Sequence, residues 1–148
     1  MARKMKYTDH TGTVSECIDD GLAELQSLGE EMREWADNME NGNLGATQKC
    51  QDVGAAADTL EGLDTSIEVP DSAAEEEVKY QSGSKGRSLS RSLRRDNAVA
   101  MLQAARDRLE ELKYEAGEDS DEDFDSPIDS LESVISEAEG VEFPGMYG

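Results

Sequence analysis

The chain has few of the residues from which active sites and large cores are built. It contains one histidine, two cysteines and three prolines in 148 residues, and aromatic residues make up 5% of it. With 36% hydrophobic residues, it can bury one modest core against the cost of chain entropy, which argues against a large enzyme with a deep pocket. It also lacks a run of about 18 apolar residues, the length that a membrane-spanning helix needs. The sequence therefore predicts one small domain without a membrane span.

Groups that exchange protons or attack a substrate are equally scarce. His10 is the only histidine and lies near the basic start of the chain, so no Cys–His pair is expected in a folded region. No phosphate-binding loop, zinc cluster or dinucleotide fingerprint occurs. The aspartates of residues 119–125 alternate as in calcium loops, but Phe124 and Ser130 stand where an EF-hand needs glycine and glutamate. We expect no enzyme activity, no cofactor and no metal.

The two cysteines lie on the two arms of a predicted helical hairpin, as small core residues. Cys50 should lie opposite Ala36, about 28 Å along the first helix from Cys17 at a rise of 1.5 Å per residue. A disulfide needs Cα atoms within about 7 Å of each other. We therefore expect two free thiols, which is typical of a reducing cytoplasm.

Apolar residues recur every three or four positions over most of the chain, which is the period of one helix face. The pattern predicts long helices over 14–40, 46–67, 88–116 and about 127–139, and capping boxes add a short helix at 73–80. Thr13 and Ser126 are the expected N-caps of the first and last of these. No strand pattern is evident. The expected fold is all-α, with two antiparallel helical hairpins that form a small bundle or coiled-coil-like assembly.

These helices also predict how the chain is organised. The expected segments are a flexible basic leader (1–12), a first hairpin (13–69), a linker with the short helix (70–87), a second hairpin (88–139) and a flexible tail (140–148). The leader has no apolar stretch behind it, so it is not typical of a secretory signal. The apolar stripes of the first and third long helices are long for so small a core, which favours a homo-oligomer.

Negative charge dominates the composition, with 35 acidic residues against 14 basic ones and a formal net charge of -21. Solubility, adaptation to high salt and a working acidic surface each account for such a charge. Because the net field repels phosphates, we expect no direct binding of nucleic acid.

The first predicted helix carries most of its acids off the apolar stripe, and Arg33 is its only base. A solvated face is the ordinary interpretation. The sharper hypothesis is a surface that imitates the phosphate array of DNA or binds a protein partner with a basic surface. Its candidate contacts are Glu30, Glu31, Glu34 and Asp37.

Residues 79–95 (KYQSGSKGRSLSRSLRR) form a basic island with six lysines and arginines and no acid. Its arginines crowd the predicted start of the third long helix, where the helix dipole favours acids; they are Arg87, Arg91, Arg94 and Arg95. They can lie against the acidic face of the first helix, join copies of the chain, or bind RNA or an acidic partner. RNA is disfavoured because Tyr80 is the only aromatic residue there. We prefer a clamp within the chain or between subunits.

The segment EEMREWADNMENGNLGATQKCQDVGAAADTLE (30–61) combines a Trp-x-Asp-Asn helix end, a short turn and an Ala-rich helix. The residues that carry this pattern are Trp35, Asp37, Asn38, Thr47, Ala56, Ala57 and Leu60. It resembles small acidic helical proteins of tailed phages and related viruses, a group without an assigned activity. The resemblance implies no catalytic residues. It implies a viral origin, with the protein acting either in the host cytoplasm or in the virion.

Together these features predict a non-enzymatic viral interaction protein whose acidic helical surface binds a protein partner, such as a host defence or nucleic-acid-binding protein. The alternative is a virion structural or assembly protein that oligomerises through its helices. An ordinary halophilic helical protein is a third interpretation, and it predicts unfolding at low salt.

Overall fold

The computed structural model describes residues 5–42, 47–85 and 90–143, and the expected all-α fold is wrong. Five helices accompany a two-stranded antiparallel sheet. The elements in chain order are β1 (Lys6–Thr13), α1 (Val14–Asn41), α2 (Gln48–Glu61), α3 (Asp71–Ala74), β2 (Glu77–Ser84), α4 (Arg91–Ala116) and α5 (Asp125–Glu139). None of the helices in these ranges combines the length and the apolar character needed to cross a bilayer.

The sheet joins two segments that were expected to be a loose leader and a linker. β1 pairs with β2 so that Lys6 lies opposite Ser84 and Thr13 opposite Glu77. Most of β1 is exposed, so it lacks the alternation by which a half-buried strand is recognised. β2 does alternate, with exposed Glu77, Lys79 and Gln81 between the less exposed Val78, Tyr80 and Ser82, and this short pattern was missed. Residues 6–12 are therefore paired strand, while residues 1–4 of the expected leader lie outside the described ranges.

The first and third long helices lie close to their predicted positions because their caps and stripes are local features. The predicted cap of α1 is confirmed, since Thr13 Oγ1 accepts a hydrogen bond of 3.1 Å from the Glu16 amide. In α4, Ser90 Oγ accepts from the Leu93 amide at 3.1 Å. The helix therefore begins at Arg91 and not at residue 88.

The three shorter helices, α2, α3 and α5, also differ from prediction at their ends. α2 stops at Glu61, where the Gly62 amide donates to the Asp58 carbonyl, and the predicted continuation to 67 runs outside helical structure. α3 covers four residues and not 73–80, because Ser72 does not cap it and β2 begins at Glu77. The amide of Ser126, the predicted N-cap of the last helix, donates to Asp123 Oδ1 at 3.0 Å, and α5 begins at Asp125.

α1 is the centre of the core, with α2 on one side and α4 on another. Two glycines allow these close approaches. A Cβ built on Gly21 would lie 2.9 Å from Leu102 Cδ2 of α4, and one on Gly29 would lie 3.1 Å from Leu60 Cβ of α2. The apolar stripe of α1 is buried in these contacts; its largest members are Leu25, Leu28 and Met32.

The predicted free thiols are confirmed. Cys17 and Cys50 are both unpaired and buried. The Cys50 thiol lies 3.8 Å from the carbonyl oxygen of Ala36, the residue that the hairpin geometry placed opposite it.

The segment after α5 contacts the core over the part that the structure describes. Val141 is buried and Phe143 packs against the core cluster. The expected flexible tail (140–148) therefore begins with packed residues, and 144–148 lie outside the described ranges.

Candidate interaction surfaces

Three of the four acidic candidates lie together on α1. Glu30, Glu34 and Asp37 are exposed, and their spacing of four and three residues puts them on one helix face. With Asn38 of α1 and Glu61 of α2 they line one shallow hollow. Below, "the acidic face" means Glu30, Glu34 and Asp37.

Arg33 lies beside the acidic face but is held by α2. Its Nε donates to Glu61 Oε1 at 2.7 Å, and its guanidinium also contacts the Asp58 carboxylate. These hydrogen bonds, first that of Glu61 and then that of Asp58, raise the pKa of Arg33. Arg33 lines the same hollow as the acidic face, but in the described residues no ion pair engages the three carboxylates of that face.

Glu31, the fourth candidate, belongs to another face. One residue is about 100° of rotation on a helix, and this turns Glu31 towards α4. Its carboxylate lies 2.7 Å from Arg94 Nη1 and 3.5 Å from Arg91 Nε. Glu31 is thus part of an internal contact.

Three arginines of the basic island, Arg91, Arg94 and Arg95, are engaged within the chain. Arg94 Nε donates to Glu24 Oε1 at 2.6 Å while its Nη1 pairs with Glu31. The Arg91 guanidinium lies 5.2 Å from the centroid of the Trp35 ring, a distance at which a cation is attracted to an aromatic face. This is the internal form of the clamp preferred from the sequence. Arg87 lies outside the described ranges.

Arg95 makes a different contact, at the end of α5. Its Nη1 donates to the carbonyl oxygens of Ala138 at 2.8 Å and Val141 at 2.9 Å. Arg95 therefore adds hydrogen bonds at the C-terminal end of α5, where the Ala138 carbonyl also accepts from the Val141 amide. Its guanidinium also lies 5.5 Å from the centroid of Phe143. Arg95 thereby fixes the segment after α5 to α4.

His10, expected in a loose leader, lies in β1. Its Nε2 is 2.7 Å from Ser82 Oγ of β2, and its ring stacks on Tyr80 with centroids 5.0 Å apart. Over the described residues no carboxylate hydrogen-bonds to His10. The His10–Ser82 pair therefore lacks the third group that orients a catalytic histidine. Sequence reasoning missed the pair because it depends on the strand register.

Cys17, near Tyr80, is poorly suited to act as a nucleophile. Burial, followed by the nearby charges of Asp20 and Glu16, raises its pKa to about 11. The reactive form of cysteine is the thiolate, and a thiol with this pKa stays protonated at neutral pH. Nor does the described part of the chain arrange three His, Cys, Asp or Glu side chains to hold a metal ion.

A second concave surface lies between β2 and α4. It is a groove of about 790 Å³ whose walls include Lys79 and Gln81 of β2 and Ala100 and Ala104 of α4. Without β2 no such groove exists, and the sequence pattern gave no sign of it.

Comparison of the chain with protein-family models, curated proteins and solved structures finds no match. The resemblance of residues 30–61 to phage proteins stays a prediction, and the functional argument depends on geometry and charge.

Proposed function

We propose that the chain is a non-enzymatic protein-binding module that uses the acidic face of α1 to engage a basic surface on a partner protein. The supporting observation is the exposure of three neighbouring carboxylates, Glu30, Glu34 and Asp37, without an ion-pair partner in the described residues. Arg33, which lines the same hollow, is paired with Asp58 and Glu61 of α2.

The physical basis is the electrostatic cost of this arrangement in the unbound protein. Like charges three or four residues apart destabilise a helix by about 0.2–0.5 kcal/mol per pair. A partner that places Lys or Arg against the acidic face removes this repulsion and gains attraction. The net charge of -21 adds long-range steering, which raises the association rate and weakens with salt.

The biological setting follows from the resemblance of residues 30–61 alone. It favours a viral protein acting in the host cell, with a host defence or nucleic-acid-binding protein as partner. A partner that normally binds DNA has a basic groove, so DNA should compete with the acidic face for it.

The alternative, a virion component that assembles with itself, was predicted because the apolar stripes of the helices are long. Those stripes are buried inside a single chain, where Leu25 and Leu28 of α1 and Leu102 and Leu109 of α4 have no exposed area. No described feature favours assembly over partner binding, so we propose partner binding.

The test is a charge reversal with a matched control. One variant carries Glu30→Lys, Glu34→Lys and Asp37→Lys; the control reverses three exposed acids of α5, with Asp129→Lys, Glu132→Lys and Glu137→Lys. Both change the net charge equally. Immobilised proteins are exposed to nuclease-treated host lysate at low and high salt, and retained proteins are identified by mass spectrometry.

We expect the wild type and the α5 control to retain a partner protein at low salt. High salt should release this protein, and the acidic-face variant should not retain it. A protein that the acidic-face variant retains as well as the wild type contradicts the proposal.

A further inference from the structure

β2 is bonded to β1 along one edge only. The Val14 amide donates to the Glu76 carbonyl at 3.0 Å, which makes Val14 and Glu76 a hydrogen-bonded pair in the register of the sheet. In an antiparallel ladder such pairs alternate with pairs whose backbone groups point outwards. Lys79, Gln81 and Gly83 are at these outward positions.

Gly83 confirms this alternation. Its amide donates to Asn97 Oδ1 at 2.7 Å, and Asn97 Nδ2 donates to the Gly83 carbonyl at 2.9 Å. The side-chain amide of Asn97 therefore makes the two bonds that a neighbouring strand would make. Beyond Asn97, the described residues offer no hydrogen-bond partner to the outward backbone groups of Lys79 and Gln81.

The groove along this edge also has apolar and acidic character. Met5 and Tyr7 line its Gly83 end with 38% and 64% of their surface exposed, and they are two of the three large hydrophobic residues exposed in the described ranges. Four carboxylates line the groove against two bases. Arg108 is held by Glu76 and Glu111, while Asp96 and Asp107 pair with Arg95 and Arg106, which lie outside the lining.

We propose that this groove binds an extended basic segment of a partner protein, which adds to the free edge of β2 beside Asn97 and rests an apolar side chain on Met5 and Tyr7. Addition of a strand to an exposed edge is a common way to bind peptides, because main-chain bonds hold the peptide and neighbouring side chains select it. The excess of carboxylates over bases in the lining, together with the net charge of -21, favours a basic segment. A second copy of this chain brings the same negative charge to the groove and is disfavoured. This site goes beyond the proposed function, since it uses β2 and α4 and not the acidic face.

The probe is a labelled synthetic heptapeptide of alternating lysine and valine, with a glutamate–valine heptapeptide as control. Binding is followed by fluorescence anisotropy and by amide shifts in NMR spectra. We expect the lysine peptide to bind and to shift the Lys79 and Gln81 amides, and the glutamate peptide to leave them unchanged.

Two variants test the geometry. Gln81→Pro removes an outward N–H that β1 does not use, because proline lacks a donor; Gln81→Ala keeps it. Gln81→Pro should bind the lysine peptide about tenfold more weakly than Gln81→Ala, which corresponds to 1.4 kcal/mol. Ala100→Arg, on the opposite wall, should weaken binding independently of strand structure.

Three results overturn the proposal: no binding of the lysine peptide, equal binding of both peptides, or binding that neither Gln81→Pro nor Ala100→Arg weakens. Amide shifts of Lys79 and Gln81 that grow with protein concentration in the absence of peptide also overturn it, since they assign the edge to a second copy. The acidic-face variant should keep the peptide-induced shifts, which separates this proposal from the proposed function.

Discussion

Replacing Gly21 by alanine should destabilise the protein, although alanine is the better helix former. Gly21 is buried within α1, where α4 crosses it. The added Cβ would lie 2.9 Å from Leu102 Cδ2 and 3.0 Å from the carbonyl oxygen of Ala98. Leu102 is fully buried, and the Ala98 oxygen is part of the α4 backbone, so neither can move aside without shifting the helix.

The magnitude follows from two opposing effects. Alanine gains about 1 kcal/mol over glycine in a helix interior, whereas overpacking a well-filled core costs about 1–3 kcal/mol. Because one of the crowded atoms belongs to the backbone, we expect the upper part of that range and a net loss of about 1–2 kcal/mol. For a chain of this size, this corresponds to a melting temperature lower by about 2–8 °C.

Gly54 provides the matched control. It also lies inside a helix, α2, but a Cβ there would meet no atom within 4 Å, so Gly54→Ala should stabilise the protein by about 1 kcal/mol. Both variants are compared with the wild type by urea unfolding followed by far-UV circular dichroism. A Gly21→Ala variant as stable as the wild type, beside a stabilised Gly54→Ala, would refute the tight crossing of α1 and α4.

Two further predictions concern charge. Arg94→Met breaks the ion pairs with Glu24 and Glu31 of α1 and should lower the free energy of unfolding by about 1 kcal/mol at low salt. The control Arg106→Met loses only a contact with its neighbour Asp107 and should have little effect. Equal losses of stability for the two variants in urea titrations would contradict the clamp. The pKa of Cys17 is raised from an ordinary value of 9.0 to about 11 in the folded protein. The protonated thiol therefore contributes its full stabilisation to the folded state below pH 9.0, and this stabilisation is lost as the pH rises towards 11. The wild type should therefore lose roughly 2 kcal/mol more stability than Cys17→Ala over that interval, and parallel stability curves would contradict the raised pKa.

The helices were predictable because the signals that form them are local. The cap at Thr13 and the stripe of α1 involve residues within a turn of one another, and both agree with the structure. The sheet was not predictable by the same means, since β1 is mostly exposed and the two strands are distant in sequence. Ile67 fits the stripe of α2, but Gly62 ends that helix five residues earlier, so periodicity alone overextended it.

The acidic surface was predictable as a helix face but not in its pairing. Glu30 and Glu31 are the same residue type and are adjacent in the sequence, yet only Glu31 forms ion pairs with the arginines of α4. Which acid remains unpaired depends on how α1 and α4 cross, and that is set by Gly21 and the alanines of α4. The contact of Arg33 with Asp58 and Glu61 likewise depends on the register of α1 against α2.

Because α1 is the centre of the core, the order of synthesis determines how long its apolar stripe stays uncovered. α1 is synthesised before α4, which begins at Arg91 and covers part of its apolar stripe, and β1 is synthesised before its partner β2. The nascent chain therefore carries a partly uncovered apolar helix while residues 42–90 are being synthesised, a condition that favours aggregation. The acids that crowd the opposite side of α1 repel other such chains during this interval, so the negative charge opposes aggregation before the fold is complete.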